Sequence, residues 1–315
     1  MKNFILFGAI AAVFAFTSCV TEPAFKQTEE IGPFTVSLIE ENVWHVEDCN
    51  SSNPAGFSVK ADGSYSFNSC SDMYIIRGRK KALLIDLSNR IRWAEGADEA
   101  LRRIFYDRAG DREKIITVTH NHGDHTGMAY AFEKESGISY MLPVNDFKND
   151  KIFPEHKQFI ADRECIDLGG MKIECVQCEG HTPGSMVFFL KGHNIGFSGD
   201  AIGSGTGVWI FSKEGFRQYT AGVENLLDYM EDPKSGIDPE TFVLWGGHTY
   251  QNSGFELGVQ TVRDAKELND QIWSGTAQWE SNNMAARGMD ATFKNGQAMV
   301  VWNKAASEEI AAEGR

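Results

Sequence analysis

Short apolar runs, separated by turn residues, recur through most of this chain. Runs rich in Val, Ile, Leu and Phe and bounded by Gly, Asn or charged residues are typical of strands in a sheet. Pairs such as Gly169-Gly170 between two runs predict hairpins. The pattern predicts strands at 34–39, 43–46, 73–77, 82–86, 115–118, 140–142, 164–168, 171–176, 186–190, 195–200 and 241–244.

Helical spacing of apolar positions separates several of these strands. It predicts helices at 97–106, 128–134, 216–230 and 255–273. The segment 50–68, rich in Ser, Gly and Asn, is expected to be an irregular insertion or a loose hairpin. Because strands and helices alternate, we expect a sheet layered with helices, an α/β arrangement.

The first residues predict export. Lys2 precedes the apolar run 4–16, which is too short to span a bilayer as a helix and therefore indicates a signal peptide. Its end resembles a bacterial lipoprotein signal, so we expect residues 1–19 to form the signal and Cys19 to carry a lipid. Residues 20–33 would be a tether to a membrane facing the periplasm or cell surface. Simple cleavage to a soluble periplasmic protein is the alternative.

Length and charge narrow the possible functions. The 315 residues are predicted to hold one main domain at 34–275 and a C-terminal extension at 276–315, packed on the same domain. The net charge of −14 argues against nucleic acid as a partner, because phosphate binding needs basic patches. A small-molecule substrate is expected, and the sequence leaves the oligomeric state open.

The cysteines suggest one loop closure. An exported chain can form disulfides, and Cys49 and Cys70 bracket the Ser/Gly/Asn-rich segment. Cys175 and Cys178 match C-x-x-C, but they lie in a strand-like run and are expected to pack in the core.

A dense cluster of polar side chains follows the strand predicted at 115–118. In extended backbone His120 and His122 point to the same side, because side chains alternate along a strand. Gly123 permits a turn that brings Asp124 and His125 back toward the first two histidines. Imidazole and carboxylate together suit a divalent transition metal, so the cluster predicts a metal site.

Four other metal-binding or acidic side chains also end predicted strands or lie beside glycine. When several strands of a sheet deliver such residues at loop ends, the side chains converge on one rim of the sheet. The residues in this position are Asp86, His181, Asp200 and His248.

Taken together, these positions resemble the metallo-β-lactamase fold superfamily, in particular its hydrolases with a two-metal centre similar to that of glyoxalase II. The resemblance spans roughly residues 36–250. It rests on HxHxDH at 120–125, GHTPGS at 180–185, SGD at 198–200, GGH at 246–248 and Asp86. It implies an α/β fold, the αββα four-layer sandwich, with the metal site at one edge.

The resemblance also implies two divalent metal ions, most simply zinc, with iron or manganese as alternatives. Asp86 matches a carboxylate that does not bind metal but orients the loop of residues 119–127, which we call the cluster loop. Asp124 is expected to carry a proton in catalysis as well as to bind metal. The implied ligands are His120, His122 and His181 for the first ion, Asp124, His125 and His248 for the second, and Asp200 as a bridge.

The function implied is a metallo-hydrolase that uses a metal-bound hydroxide to cleave an ester, a thioester or a lactone. A true β-lactamase is not expected, because such enzymes commonly carry Cys or Ser where Asp200 stands. A phosphodiesterase on the same site and a catalytically inactive metal-binding lipoprotein are the alternatives. Candidate pocket walls are Trp209, Phe211, Tyr219 and Tyr250, and candidate phosphate-binding cations are Lys151, Lys213 and Arg217.

Overall fold

The protein is described from a computed structural model, which covers residues 27–48, 57–59, 65–67, 70–92, 94–204, 206–251 and 255–315, with only the backbone at 57–59 and 65–67. The signal peptide 1–19, Cys19 and most of the tether lie outside these residues, so export and lipidation remain predictions. None of the helices within the described ranges is long and apolar enough to cross a membrane.

The described residues form nineteen strands. The first ten strands are β1 (Thr28–Ile31), β2 (Phe34–Glu40), β3 (Val43–Glu47), β4 (Phe57–Val59), β5 (Tyr65–Phe67), β6 (Asp72–Arg77), β7 (Lys81–Ile85), β8 (Glu113–Thr117), β9 (Ile138–Pro143) and β10 (Gln158–Ile160). The later strands are β11 (Cys165–Asp167), β12 (Lys172–Gln177), β13 (Met186–Leu190), β14 (Ile195–Gly199), β15 (Val208–Trp209), β16 (Val243–Gly246), β17 (Trp279–Ser281), β18 (Ala291–Asn295) and β19 (Ala298–Trp302).

The helices lie between these strands and at the C-terminus. They are α1 (Ala97–Ala109), α2 (Gly123–Thr126), α3 (Val144–Phe147), α4 (Lys213–Glu231), α5 (Val259–Trp273) and α6 (Lys304–Glu313).

Two mixed sheets face each other at the centre of the fold. The first has the strand order β1-β2-β3-β6-β7-β8-β9-β10, and the second has the order β11-β12-β13-β14-β16. Side chains alternate between the two faces of a strand, so in β6 Tyr74 and Ile76 point at the second sheet while Ile75 points away from it. Phe188 and Phe197 of the second sheet meet them in the interface.

Helices cover the two outer faces. Leu101 and Phe105 of α1 pack on the outside of the first sheet. Leu226 of α4 and Val262 of α5 pack on the outside of the second. This is the αββα four-layer sandwich, and the predicted α/β class is confirmed. Because each central strand is buried on both faces, its sequence is apolar throughout rather than alternating.

The C-terminal strands form a small sheet of their own with β15, in the order β15-β19-β18-β17. Trp302 of β19 is 1% exposed, and its ring stacks on Phe216 of α4 with 4.5 Å between centroids. Helix α6 contacts α4 and α5. The domain limits 34–275 and 276–315 remain predictions.

The helix predicted at 128–134 was wrong in extent. The structure has the single turn α2 and then a 3-10 turn at Ala129–Phe132. The amides of Gly127 and Met128 donate to the carbonyls of Ser88 and Leu87, each at 2.8 Å, instead of to the preceding turn of a helix. A side chain at Gly127 would lie 2.2 Å from the amide nitrogen of Arg90, so the cluster loop is held directly against the loop after β7.

Other predicted boundaries shifted for local reasons. Helix α4 begins three positions before the predicted 216–230, because the Ser212 hydroxyl accepts a hydrogen bond from the Gly215 amide and caps the helix. The helix predicted at 255–273 begins only at Val259, because Leu257 pairs with Leu244 as a β-bridge.

The insertion predicted at 50–68 contains the hairpin β4-β5, and its other residues lie outside the described ranges. Cys49 lies there too, so its pairing with Cys70 is not described, although Cys70 is disulfide-bonded. Cys175 and Cys178 are buried free thiols, as predicted.

Candidate metal centre

One edge of the sandwich collects the polar side chains that the sequence placed at strand ends. Strands β7 and β8 run parallel, as do β14 and β16, so the loops that follow them emerge on the same side. Asp86 follows β7 and Asp200 follows β14 directly, while His120 and His248 lie a few residues beyond β8 and β16. His181 lies in the loop between β12 and β13.

The first group of imidazoles is formed by His120, His122 and His181, whose ligand-type nitrogens lie within 4.8 Å of one another. The His122 Nδ1 is 2.9 Å from the His181 Nε2. The Asp200 Oδ2 lies 3.4 Å from the His181 Nε2 and 4.0 Å from the His120 Nε2. Three nitrogens and one carboxylate oxygen therefore surround one point.

The second group consists of Asp124, His125 and His248, again with ligand-type atoms within 4.8 Å. The His248 Nε2 lies 3.6 Å from the Asp124 Oδ2 and 3.3 Å from the Asp200 Oδ1. The His125 Nε2 lies 3.5 Å from the same Asp200 Oδ1. Because its two oxygens face different groups, Asp200 stands between them.

Carboxylate or carbonyl oxygens hold the outward nitrogens of three of these rings. The Nδ1 of His125 is 2.9 Å from the Asp86 carboxylate, and that of His248 is 2.6 Å from the Cys70 carbonyl. The Nδ1 of His181 is 2.9 Å from the Trp209 carbonyl. Since a carbonyl or carboxylate only accepts, these Nδ1 atoms donate, and the Nε2 atoms of the neutral rings present lone pairs to the centre.

Asp86 ties the cluster loop together. Its carboxylate accepts from the Thr119 amide at 2.6 Å and from the Thr119 hydroxyl at 2.8 Å, in addition to the bond with His125. It is 1% exposed, and its φ of 66° lies in the left-handed region. Glycine is required nearby, because a Cβ on Gly247 would lie 2.6 Å from both the Asp200 Oδ1 and the His125 ring.

The donor set fits a divalent cation. The Nε2 atoms of His120 and His125 and the Oδ1 of Asp200 are buried, and within the described ranges they have no hydrogen-bond partner. Leaving a buried polar group unpaired costs about 1–3 kcal/mol, so three such atoms at one point need a shared partner. Imidazole nitrogens with carboxylate oxygens are the ligands that zinc and similar ions prefer.

The charges within the centre differ between the two groups. Burial lowers the pKa of His120 well below its usual value, lowers that of His122, and lowers that of His181 to about 4, so these rings are neutral at pH 7. Burial alone would also lower the pKa of His248, but the Asp200 charge outweighs it and raises this pKa to about 9. In the metal-free protein His248 is therefore protonated at neutral pH.

His125 and Asp200 are coupled in the same way. Burial disfavours the charge on both, but their mutual attraction is larger. The carboxylates of Asp200 and Asp86 raise the pKa of His125 well above its usual value, and the charges of His248 and His125 hold the pKa of Asp200 well below its own. The bridge position therefore keeps a full negative charge available.

A buried pair braces the His248 loop, and the sequence did not reveal it. His45 is 6% exposed, and its Nε2 is 2.8 Å from the Asp72 Oδ1. The other Asp72 oxygen accepts from the Thr249 amide at 2.5 Å. Both oxygens of this carboxylate are thus occupied, and the pair holds the residue next to His248 in place.

Asp146 links the cluster loop to the His181 loop. It accepts from the amides of Asn121 at 3.0 Å and Gly184 at 2.7 Å, and from the Thr182 hydroxyl at 2.7 Å. In the sequence it lies in a polar stretch with no motif. Its role as an acceptor for both loops is visible only in the tertiary structure, where its carboxylate lies within hydrogen-bond distance of each.

A cavity of about 300 Å³ opens onto the centre. Of the candidate pocket walls, Trp209 and Phe211 line it. Tyr219 does not, because it is 1% exposed in the core between α4 and the second sheet. Tyr250 does not line it either, although its ring lies edge-on to His248 with 6.1 Å between centroids. A smaller cavity of about 170 Å³, lined mainly by apolar side chains, shares Ser204 and His248 with it.

The cations predicted near the rim lie elsewhere. Lys213 and Arg217 pair with glutamates of α6 and α4, and Lys151 does not line the cavity. Arg287 lines the cavity instead. The sequence did not indicate it, because it lies in the C-terminal extension, outside every motif.

A profile of the metallo-beta-lactamase superfamily matches residues 71–248, more than half of the chain. The match contains all the histidines and aspartates of the centre. The chain belongs to the metallo-beta-lactamase superfamily, whose members bind divalent metal ions, commonly zinc.

Relatives within this superfamily differ in their reactions. Hydroxyacylglutathione hydrolase from Aeromonas salmonicida is 30% identical over 159 residues, which cover 50% of this chain and 56% of that protein. The mitochondrial persulfide dioxygenase from Bos taurus is 25% identical over 210 residues, 65% of this chain and 72% of that protein. The chain spans about half the length of several of the curated relatives that it matches.

Solved structures show the same fold. The metallo-beta-lactamase FIM-1 from Pseudomonas aeruginosa, in its mono-zinc form, superimposes with a TM-score of 0.53 at 15% identity. The alignment covers 76% of this chain and 96% of that one. At this identity the likeness concerns the fold alone.

Proposed function

We propose that this protein is a two-metal hydrolase that cleaves an ester or a thioester. The observation that carries the proposal is the pair of ligand groups beside Asp200, in which the buried Nε2 atoms of His120 and His125 have no hydrogen-bond partner among the described residues. The hydrolase relative from Aeromonas salmonicida supports the reaction class.

Each proposed ion has its own set of residues. His120, His122 and His181 would hold the first, Asp124, His125 and His248 the second, and Asp200 both. Zinc fits this donor set best, and iron or manganese would fit as well. Divalent ions held there would supply Lewis-acid polarisation of a substrate oxygen and an activated water at neutral pH.

The chain's own residues would orient the reaction and move the proton. Asp86 and the Cys70 carbonyl hold the His125 and His248 rings, which keeps the centre preorganised. Asp124 lines the cavity with its Oδ2 3.6 Å from the His248 Nε2, so it is the carboxylate placed to pass a proton to a leaving group. Trp209 and Phe211 would pack against the substrate's apolar part.

Ester or thioester cleavage is favoured over phosphodiester cleavage by the charge of the cavity. Arg287 is the one Lys or Arg among the described residues that line it. Beyond the proposed metal ions, a polymeric phosphodiester, with a charged phosphate on either side of the one being cleaved, would meet only this one side-chain cation. A lactone, as an internal ester, is covered by the same proposal.

The test is metal-dependent turnover of defined compounds. The purified protein is expected to contain zinc by elemental analysis and to hydrolyse p-nitrophenyl butyrate and the butyryl thioester of N-acetylcysteamine. Chelation should abolish this activity and zinc should restore it. Oxygen uptake with glutathione persulfide, or cleavage of bis(p-nitrophenyl) phosphate in place of the esters, would overturn the proposal.

His122→Ala tests the centre itself. The variant should keep the far-UV spectrum of the wild type and lose bound metal. Its turnover should fall by more than about 100-fold, because about 100-fold is the largest loss expected when a residue that only hydrogen-bonds to a ligand is removed. His156→Ala is the matched control, because His156 is exposed and distant in the chain from every ligand. Unchanged turnover in His122→Ala would refute the ligand assignment.

A further inference from the structure

We propose that Arg287 binds a carboxylate on the substrate, so that the enzyme prefers acyl esters or thioesters whose acyl chain ends in a carboxylate. The inference rests on the proposed function and names the substrate class of the same site. Three observations support it: the position of Arg287 in the cavity, the lack of an ion-pair partner among the described residues, and the residues that line the cavity around it.

Arg287 reaches the centre through Trp209. Its guanidinium carbon lies 5.4 Å from the centroid of the Trp209 ring, in cation–π range. The carbonyl of the same Trp209 is the acceptor for the His181 Nδ1 at 2.9 Å. Trp209 therefore contacts His181, a proposed metal ligand, through its backbone and Arg287 through its side chain. His181 and Arg287 line the same cavity.

The Arg287 charge is not neutralised by any residue that the structure describes. Within the described part of the chain its guanidinium forms no ion pair and no hydrogen bond. Other cations in contact with the C-terminal region are paired, such as Lys213 with Glu309 and Arg315 with Asp270. In a chain of net charge −14, an unpaired arginine facing a cavity is available for an anionic ligand.

The turn that carries Arg287 is held in shape by its own hydrogen bonds. The Met284 amide donates to the Asn282 side chain at 2.7 Å, and the Asn282 amide donates to the Asp290 carbonyl at 3.1 Å. The side-chain amide of Asn282 donates to the Thr292 hydroxyl at 3.0 Å. Met289, just after the turn, is 1% exposed and anchors it in the core.

Phe211 supplies an apolar wall to a cavity whose other lining, apart from Trp209, is polar or glycine. Phe211 is 52% exposed, and its ring centroid lies 5.8 Å from that of His122 and 5.7 Å from that of His181. Ser204 also lines the cavity, and its buried hydroxyl has no partner among the described residues. An acyl chain lying along Phe211 would place its carbonyl at the centre and its far end near Arg287.

A carboxylate fits better than a phosphate. One guanidinium can pair bidentately with one carboxylate, and the single charges match. A phosphate monoester carries nearly two charges at neutral pH, so Arg287, the one Lys or Arg among the described residues that line the cavity, would leave one of them unmatched.

The experiment compares two alkyl esters that differ only at the end of the acyl chain, monomethyl succinate and methyl butyrate, with turnover followed by proton release at constant pH. The zinc-loaded wild type should show the higher kcat/KM with the succinyl ester. Arg287→Ala should raise KM for this ester about tenfold, the effect of one hydrogen-bonded charge, and leave KM for the butyryl ester unchanged. Arg287→Lys should recover part of the loss.

Lys294→Ala is the matched control, because Lys294 lies on the same C-terminal hairpin, is exposed, and pairs with Glu280 away from the cavity. It should leave both esters unaffected. An equal loss for both esters in Arg287→Ala, or a wild type with no preference for the succinyl ester, would overturn the inference while leaving the proposed hydrolase intact.

A binding measurement separates failure of the inference from failure of the proposed function. If the metal-loaded wild type cleaves neither ester, the proposed reaction fails. Calorimetric titration with the amide N-phenylsuccinamate then still decides whether Arg287 binds a carboxylate. Binding to the wild type that is about tenfold tighter than to Arg287→Ala supports it, and equal binding refutes it.

Discussion

Asp86→Asn is the most informative single substitution outside the proposed ligands. The Asn side chain keeps the shape of the carboxylate. Its oxygen can still accept from the Thr119 backbone amide, which lies 2.6 Å from the Asp86 carboxylate in the wild type, and its NH₂ group can donate to the Thr119 hydroxyl. It cannot accept from the His125 Nδ1, because that side of the group is now a donor. One of three hydrogen bonds becomes a repulsion between two donors.

His125 can relieve this clash only by changing its tautomer. The proton would move from Nδ1 to Nε2, the atom that lies 3.5 Å from Asp200 and faces the proposed second ion. A protonated Nε2 cannot bind metal. Retaining the original tautomer instead costs about 1–3 kcal/mol for a buried donor without an acceptor. Either route should weaken the second site by about 10- to 100-fold, or about 1.4–2.7 kcal/mol.

The assay is a competition titration of zinc against a coloured chelator, with the two binding steps fitted separately. Asp86→Asn should weaken the step that involves His125 more than the step of the first group. Asp86 bonds to His125 directly, whereas it reaches His120 only through the Thr119 hydroxyl, which lies 3.1 Å from the His120 Nδ1. Long-range nitrogen–proton NMR on labelled histidine would report the tautomer. Asp111→Asn is the control, since it makes the same chemical change on the surface. If both zinc affinities of Asp86→Asn equal those of the wild type, the proposed role of this carboxylate is refuted.

Two further predictions concern proton release and the core. Because the pKa of His248 is about 9 in the metal-free protein, its ring is protonated at lower pH and must lose that proton to bind a cation, so zinc affinity should rise with pH up to about 9. Zinc titrations at pH 7 in buffers of different ionisation enthalpy should show this release, and identical heats would contradict it. Trp302→Ala should lower the free energy of unfolding by about 3–5 kcal/mol, since the 1%-exposed ring stacks on Phe216. A urea midpoint like that of the wild type would mean that the C-terminal strands do not share this core.

Much of the layered fold could be predicted from local pattern. Apolar runs such as 82–86 and 186–190 are strands because both faces of a central strand are buried. The two hairpins at 73–86 and 164–176 follow from turn residues between such runs. Element ends were less accurate, because contacts far away in sequence set them. Leu257, for example, is held in a β-bridge with Leu244 that delays the start of α5.

The cluster of ligand-type residues could also be predicted from the sequence, since most of its members lie just after a strand or a glycine, and strands of one sheet bring their ends together. What supports them could not. The amide acceptor Asp146, the pair His45 and Asp72, and the cavity cation Arg287 lie in stretches without a motif, and their partners are between 25 and 177 positions away.

The sequence by itself determined which side chains are able to bind metal and which strands deliver them, because spacing of two along a strand and glycine at its end are local properties. Only the tertiary structure decided how the Nε2 atoms are aimed, which charges are paired, and which arginine enters the cavity. These depend on contacts between segments that no pattern within a single segment encodes.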